Sequence, residues 1–390
     1  MRFPTVALSL LVLAACTDAP TAAKSSENDN LGISAAKGGG GGTTKVNSVT
    51  VAPASASIQQ GGTVQLTATS KPAATATFAW SSSNQSVATV SGTGLVTGVA
   101  AGTTTISATA SGKTGQSLIT VTAPPPAGSV IMIGAGDISD CNNNNDEATA
   151  KLLDANLDGT VFLLGDNAYE SGTTTEFNNC YNPTWGRHKA RTKPSVGNHE
   201  YNTTNATGYY GYFGTAAGDP AKGYYSYDLG DWHVIVINSN ITKIDAPAQL
   251  SWLRADLAAS TKSCTLAYWH HPRFSSGLEH GNDASMQAFW DELYAANADV
   301  VMNGHDHDYE RFAPQTPSGV ADNVHGIREF VVGTGGRALY HLGTLRANSE
   351  VFNSTTYGVL KLTLSAGSYS WQFIPVAGQT FTDSGSGSCH

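Results

Sequence analysis

Charge is scarce in this 390-residue chain: Asp, Glu, Lys and Arg make up 13% of it, and the basic residues form no runs. With a formal net charge of −9 and a pI near 5.6, it lacks the cationic surface that general binding to nucleic-acid backbones or anionic membranes requires. Long apolar runs are lacking too. The N-terminal stretch Val6 to Ala15 is too short to cross a bilayer as a mature helix. Cysteine is sparse, five in all, and none stands in the segments where histidine and carboxylate gather, so a metal held there would be held without thiolate.

What is present begins with a targeting segment. Arg2 precedes the apolar stretch, which ends in Leu13-Ala14-Ala15-Cys16. This resembles the lipobox of bacterial lipoproteins, in which Cys16 would be cut to the first position and lipidated; the plainer alternative is a secretory signal with small residues before the cut. Either reading of residues 1–16 exports the protein, to a lipid-anchored place in the bacterial envelope or to the outside. Four cysteines then remain, Cys141, Cys180, Cys264 and Cys389. An even number in an exported chain predicts two disulfides with three possible connectivities. The pairing Cys141–Cys180 with Cys264–Cys389 is favoured, because the first two flank one segment of the candidate site.

Residues 17–45, with Lys24-Ser25-Ser26-Glu27-Asn28-Asp29-Asn30 and the run Gly38 to Gly42, read as a flexible tether. Over 46–122, short alternating runs such as Val46 to Val51, Thr63 to Thr69, Val87 to Val90, Thr104 to Ala108 and Leu118 to Val121 are broken by turn glycines. That is the pattern of an all-β sandwich. The phrases "GGTVQLTA" and "WSSSNQSVATVSGTGLVTGVAAGTTTISA" resemble the bacterial Ig-like group 2 family. The resemblance implies a spacer or adhesive module that contacts the cell envelope, a surface or a polysaccharide. Residues 123–128, around Pro124-Pro125-Pro126, read as a stiff linker. From 129 to 390 apolar runs alternate with helix-spaced segments at 145–157, 247–259 and 283–297, and a late hairpin runs from Tyr357 to Val376. This predicts an α/β layered domain.

Polar residues cluster where the apolar runs of that domain stop. Val130 to Gly136 ends in Asp137; Val161 to Gly165 ends in Asp166, with Tyr169 three residues on. Pro194 to Gly197 ends in Asn198-His199-Glu200, Leu266 to Trp269 in His270-His271, and Val300 to Gly304 in His305, with His307 two positions later. Ligands of open α/β sheets bind beyond the carboxyl ends of strands. Carboxylate, imidazole, amide oxygen and phenol make a ligand set for two cations, with one carboxylate bridging if the ions sit roughly 3.5–4 Å apart. Singly, each residue has an ordinary explanation as a turn, a cap or a surface histidine. Together they would need several coincidences.

Gly136-Asp137, Gly165-Asp166-Asn167-Ala168-Tyr169, Gly197-Asn198-His199-Glu200, His270 and Gly304-His305-Asp306-His307 resemble the five motifs of purple acid phosphatases, within the calcineurin-like metallophosphoesterases. The resemblance spans about residues 130–375, and Asp308-Tyr309-Glu310-Arg311 extends it. It implies a four-layer α/β (α+β) metallophosphoesterase domain, two packed mixed sheets flanked by helices, behind the Ig-like sandwich. It also implies that Asp137, Asp166, Tyr169 and His307 hold Fe(III), and that Asp166 bridges to a divalent Fe, Zn or Mn also held by Asn198, His270 and His305. His199 and His280 correspond to the histidines that position phosphate, His280 also protonating the leaving group; His271 and Glu200 support the ligands. Most relatives in the superfamily begin with Asp-x-His. Here Asp137-Ile138-Ser139 lacks that histidine, and Tyr169 stands where a phenolate can replace it. Ser139 stands where glycine is usual, and the polar loop Asp140 to Asp146 is expected to reshape the rim.

The activity so implied is hydrolysis of phosphomonoesters at acidic to neutral pH. Two cations neutralise the phosphoryl oxygens and lower the pKa of water towards about 7. Arg337, in the turn Gly333-Thr334-Gly335-Gly336-Arg337, is a candidate substrate contact, weighed against an exposed turn arginine. Rival readings are a phosphodiesterase, nucleotidase or nuclease of the same superfamily and, from a different class, an adhesion protein whose large domain is an inactive scaffold.

Overall fold

Along residues 46–122 the alternation of Thr, Val and Ser gives short strands with alternate residues buried. The computed structural model describes residues 46–72 and 76–390, so the signal segment, Cys16 and the tether lie outside the described residues. Ser55–Gln59, Lys113–Thr122, Gly102–Ala110 and Ala79–Ser82 form a four-stranded sheet in that order. Thr63–Gln65, Leu95–Gly98 and Ala88–Val90 form a three-stranded one, and Ser48–Ala52 pairs with Thr67–Lys71. Leu66, Val96, Ile106, Ala108, Ile119 and Val121 are buried between them. The run 63–69, expected as one strand, is two. Leu66 donates its N–H to the Gly94 carbonyl, and the residues on either side pair with different neighbours: Val64 with Val96, Ala68 with Val51. Period-two patterning reports which side chains are buried and carries no sign of a change of partner.

The chain divides between Ala123 and Pro124 into two compact units. The second holds two mixed sheets. In one the order is Thr192–Ser195, Thr160–Leu164, Val130–Ala135, Gly358–Ser365, Ser368–Pro375, Ser384–Ser388, with the first three strands parallel. In the other it is Tyr225–Leu229, Trp232–Val236, Cys264–Tyr268, Val300–Asn303, Arg328–Val332, Tyr309–Phe312, Ser349–Asn353, with four parallel strands in the middle. These central strands are buried on both faces. Val234, Val236, Leu266, Tyr268, Val300 and Met302 turn to a core shared with the six-stranded sheet, where the rings of Phe162 and Tyr268 lie 6.1 Å apart. Their sequence neighbours Ile235, Ala267 and Val301 turn to a second core, closed by Leu253, Phe289, Trp290 and Leu293 from two helices. Such two-sided burial is what continuous apolar runs encode. Ala150, Leu153 and Trp185 of the segments beside the six-stranded sheet join the first core. The architecture is the expected four layers, two mixed sheets flanked by helices.

Two of the three expected helices are shorter than their apolar spacing suggested, and the one expected at 247–259 is found at Ala246–Ala259. Asn145–Asp154 stops before Leu157, which is 66% exposed rather than core-facing. Ala246–Ala259 starts where the Asp245 carboxylate caps the Ala248 N–H at 2.9 Å. The third begins with a 3-10 turn, Ala284–Met286, and becomes α-helical over Gln287–Ala295. Cys141 is bonded to Cys180, and Cys264 to Cys389. Among the described residues no helix is long and apolar enough to cross a membrane.

Candidate dinuclear metal centre

The strands Val130–Ala135, Thr160–Leu164, Thr192–Ser195, Cys264–Tyr268 and Val300–Asn303 all deliver their following loops to one place. Three of the delivered residues bend the backbone into the left-handed region: Asp137 (φ +58°), Asp166 (φ +48°) and His305 (φ +74°). Each such bend costs on the order of 1–3 kcal/mol and gathers at functional sites. Glycine lets the loops close up. A Cβ at Gly197 would stand 2.1 Å from the Asp166 carboxylate, and one at Gly304 2.6 Å from that of Asp137.

The donors fall into two groups that share one atom. The Tyr169 hydroxyl lies 2.8 Å from Asp137 Oδ1, 3.3 Å from Asp166 Oδ2 and 3.2 Å from His307 Nε2. His270 Nε2 lies 3.1 Å from the same Asp166 Oδ2, 3.0 Å from Asn198 Oδ1 and 3.1 Å from His305 Nδ1. Asp166 Oδ2 belongs to both groups. Ligand atoms at right angles about a cation, with bonds of about 2.1 Å, sit about 3.0 Å apart, so these edges have the size of a coordination cage. Ring orientation agrees with this. Nδ1–H of His270 donates to the Leu164 carbonyl (2.8 Å) and that of His307 to the Ala338 carbonyl (2.7 Å), turning each Nε2 into the site.

The electrostatics also call for positive charge. Burial opposes charge on His270, but the Asp166 carboxylate outweighs it and lifts the pKa to about 9. Burial and then the charges of His270, His271 and His280 push His305 well below its ordinary value. Burial, with Asp137 and Asp166 next, raises the Tyr169 phenol well above 10, so without a cation it stays neutral and donates to Asp137. Metal ions would replace such protons, as they do wherever binding releases them. The donor set therefore fits two hard or borderline cations.

Around the donors, Glu200 is fully buried and its carboxylate accepts the backbone N–H groups of Asn167 (2.7 Å), Gly197 (2.7 Å), Asp166 (3.1 Å) and Ala168 (3.3 Å). It pins two ligand loops at once, with burial and Asp166 raising its pKa to about 7. His199 and His280 face the solvent side. His199 Nε2 lies 3.9 Å from Asp166 Oδ2 and its Nδ1–H donates to the Glu170 carbonyl, while the exposed ring of His280 stacks on His305 at 3.9 Å. His271 bonds Ser239 at 2.7 Å behind His305, and burial lowers its pKa to about 4. Arg337 is not a free turn arginine. Its guanidinium pairs with both Asp140 and Glu170 and lies 4.7 Å over the Tyr169 ring. Tyr340, which sequence reasoning missed, stacks on His307. Its loop shows no strand or helix signal that would have pointed there.

Residues 45–121 match the bacterial Ig-like domain (group 2) family, and residues 123–309 match the calcineurin-like phosphoesterases. The second unit is a calcineurin-like phosphoesterase domain. Among curated relatives, purple acid phosphatase 15 of Arabidopsis thaliana is 30% identical over 212 residues, covering 45% of this chain and 40% of the relative. Purple acid phosphatase 1 of Ipomoea batatas is 26% identical over 229 residues, covering 52% and 47%. The chain thus spans less than half the length of these two relatives. Among solved structures, the yellow lupin purple acid phosphatase PPD1 superposes with a TM-score of 0.56 at 17% identity, covering 83% of this chain and 67% of that one. GAP50, described as the anchor in the inner membrane complex of Plasmodium, gives 0.52 at 16% identity over 65% and 88%. Likeness at this identity speaks for the fold alone, and chemistry has to be argued from the site.

Proposed function

We propose that this phosphoesterase domain is a dinuclear phosphomonoesterase of the purple acid phosphatase kind, working at acidic to neutral pH. The observation that carries the reading is the sharing of Asp166 Oδ2 between two donor groups, one completed by buried Asp137, Tyr169 and His307, the other by buried His270 with half-buried Asn198 and His305. Asp137, Asp166, Tyr169 and His307 would hold one ion, and Asp166, Asn198, His270 and His305 the other. The phenol of Tyr169 and the lack of thiolate favour Fe(III) for the first, with divalent Fe, Zn or Mn as the second. When bound, the pair supplies Lewis acidity towards the phosphoryl oxygens and a lowered pKa for water. The chain's own residues do the rest. His199 and His280, on the solvent side, are placed to bind the dianionic phosphoryl group. As a water oxygen bonds to phosphorus and the ester P–O bond breaks, His280 gives its proton to the departing oxygen and recovers one from solvent. Arg337, engaged by Asp140 and Glu170, acts from behind Tyr169 and steadies the rim.

Export is part of the same proposal. The lipobox-like segment at Cys16 and the two disulfides support an envelope or extracellular place, where such bonds persist. There the Ig-like module would serve as a spacer or surface contact. The test is direct: assay the purified full chain for metal content and for rates on an aryl monophosphate and an aryl diester, beside Asp166→Asn. We expect about two ions per chain, preference for the monoester, and loss of both metal and activity in the variant. A metal-replete, fully active Asp166→Asn protein would end the proposal, and diester preference would move the activity to the phosphodiesterases.

A further inference from the structure

The exposed imidazole that faces the site belongs to a segment with no regular structure of its own. Residues 269–283 contain neither helix nor strand, only bends and an isolated bridge between Gly277 and Leu342. Yet the His280 ring lies 3.9 Å from that of His305 and 23° from parallel. Fixing an irregular segment costs roughly 1–2 kcal/mol of backbone entropy per residue, so something must hold it.

Three buried carboxylates do so, in sequence order. Glu329, on the strand Arg328–Val332, accepts the Phe274 N–H at 3.3 Å. Glu310, on Tyr309–Phe312, accepts the Ser276 N–H at 2.7 Å and its hydroxyl at 2.6 Å. Asp306, between His305 and His307, accepts the Gly281 N–H at 3.0 Å and the Ser275 hydroxyl. All three are fully buried. Gly277 lies directly over Asp306: a Cβ there would stand 2.3 Å from its Cγ. Carboxyl oxygens have lone pairs enough for several N–H and O–H donors.

We propose that Asp306 is a positioning residue: its grip on residues 275 and 281, on either side of His280, fixes the His280 imidazole against His305 and so aims it at the leaving group. Glu310 and Glu329 extend the same clamp back along the segment. The kinetic consequence rests on the phosphomonoesterase reading; the structural consequence does not.

The experiment uses the full chain and the variants Asp306→Ala, Asp306→Asn, Ser275→Ala, His280→Ala and Asp306→Ala/His280→Ala. kcat and KM are measured on p-nitrophenyl phosphate and on ethyl phosphate, whose alkoxide needs a proton far more. Asp306→Ala is expected to lose about 100-fold in kcat on ethyl phosphate, the lower end for a lost general acid, and under about 10-fold on p-nitrophenyl phosphate. It should match His280→Ala, and the double variant should be no worse than either single one. Ser275→Ala, which removes the hydroxyl's bond to Asp306 and the one it accepts from the Gly277 N–H but leaves the carboxylate, should shift the ratio of the two rates in the same direction by less, and Asp306→Asn should fall between. Equal losses on both esters, or a double variant with multiplied losses, would overturn the proposal. So would a crystal structure of Asp306→Ala with the 280 ring still stacked on His305. If the wild-type chain hydrolyses neither ester, the phosphomonoesterase reading fails, and that crystal structure alone decides the positioning role.

Discussion

The imidazole of His307 and the phenol ring of Tyr340 lie 3.8 Å apart and 12° from parallel, and the Tyr340 N–H donates to the His307 carbonyl at 2.9 Å. With Nδ1–H bound to Ala338, the ring of this proposed ligand is fixed on its face and at its edge. Outer supports of metal ligands are worth about 10–100-fold in metal affinity or activity. Tyr340→Ala is therefore expected to lose metal to a chelator about 10-fold more readily than the wild type, while Tyr340→Phe keeps the stack and retains it. Equal retention in all three proteins would deny Tyr340 this role.

Tyr169 gives an optical test. In protein loaded with iron, a phenolate on Fe(III) absorbs in the visible, and Tyr169→Phe should remove that band while leaving Asp137, Asp166 and His307 in place. A coloured Tyr169→Phe protein would show that the phenol is not a ligand.

The disulfide Cys264–Cys389 closes a span of 125 residues and ties the strand Cys264–Tyr268 to the far end of the phosphoesterase domain. Opening a loop of that length releases about 4–5 kcal/mol of denatured-state entropy. Cys264→Ser/Cys389→Ser should accordingly unfold at a clearly lower guanidinium concentration, with the Ig-like unit's own transition unmoved. An unchanged midpoint for the phosphoesterase unit would show that the bond adds nothing.

His233 sets a pH dependence away from the site. Its Nε2–H donates to Asp256 at 2.8 Å and its Nδ1–H to Asp228 at 3.0 Å, and the bond to Asp256 chiefly raises its pKa. Because the folded pKa lies above the unfolded value of about 6.5, this stabilisation is complete below that pH. It fades as pH rises through the folded value. Asp228 is half-exposed and screened, so Asp256 carries most of the effect. His233→Gln should cost about 1–2 kcal/mol at pH 6 and progressively less towards pH 9, read from denaturant midpoints. A pH-independent deficit would contradict the charged pair.

Much of the candidate site was legible because parallel strands place chemistry at their carboxyl ends. Asp137, Asp166, Asn198, His270 and His305 each follow an apolar run, and the structure brings them together with Tyr169 and His307. The supports were not legible. The four N–H groups gathered by Glu200, the pairing of Arg337 with Asp140 and Glu170, and the stacking of Tyr340 depend on which loops meet across the sheet edge. No local period encodes such meetings. In the Ig-like unit the strands Ser55–Gln59 and Leu95–Gly98 went unread, being short and rich in Ser, Gly and Thr.

The left-handed bends at Asp137, Asp166 and His305 have one more implication. Only glycine would sit there without effort, and glycine has no side chain to offer an ion. At these three positions the chain has no neutral route to an easier backbone: each relaxation silences a donor. A descendant of this protein that drifted towards simpler folding would be betrayed by glycines in the elbows of the candidate site, long before its sheets changed shape.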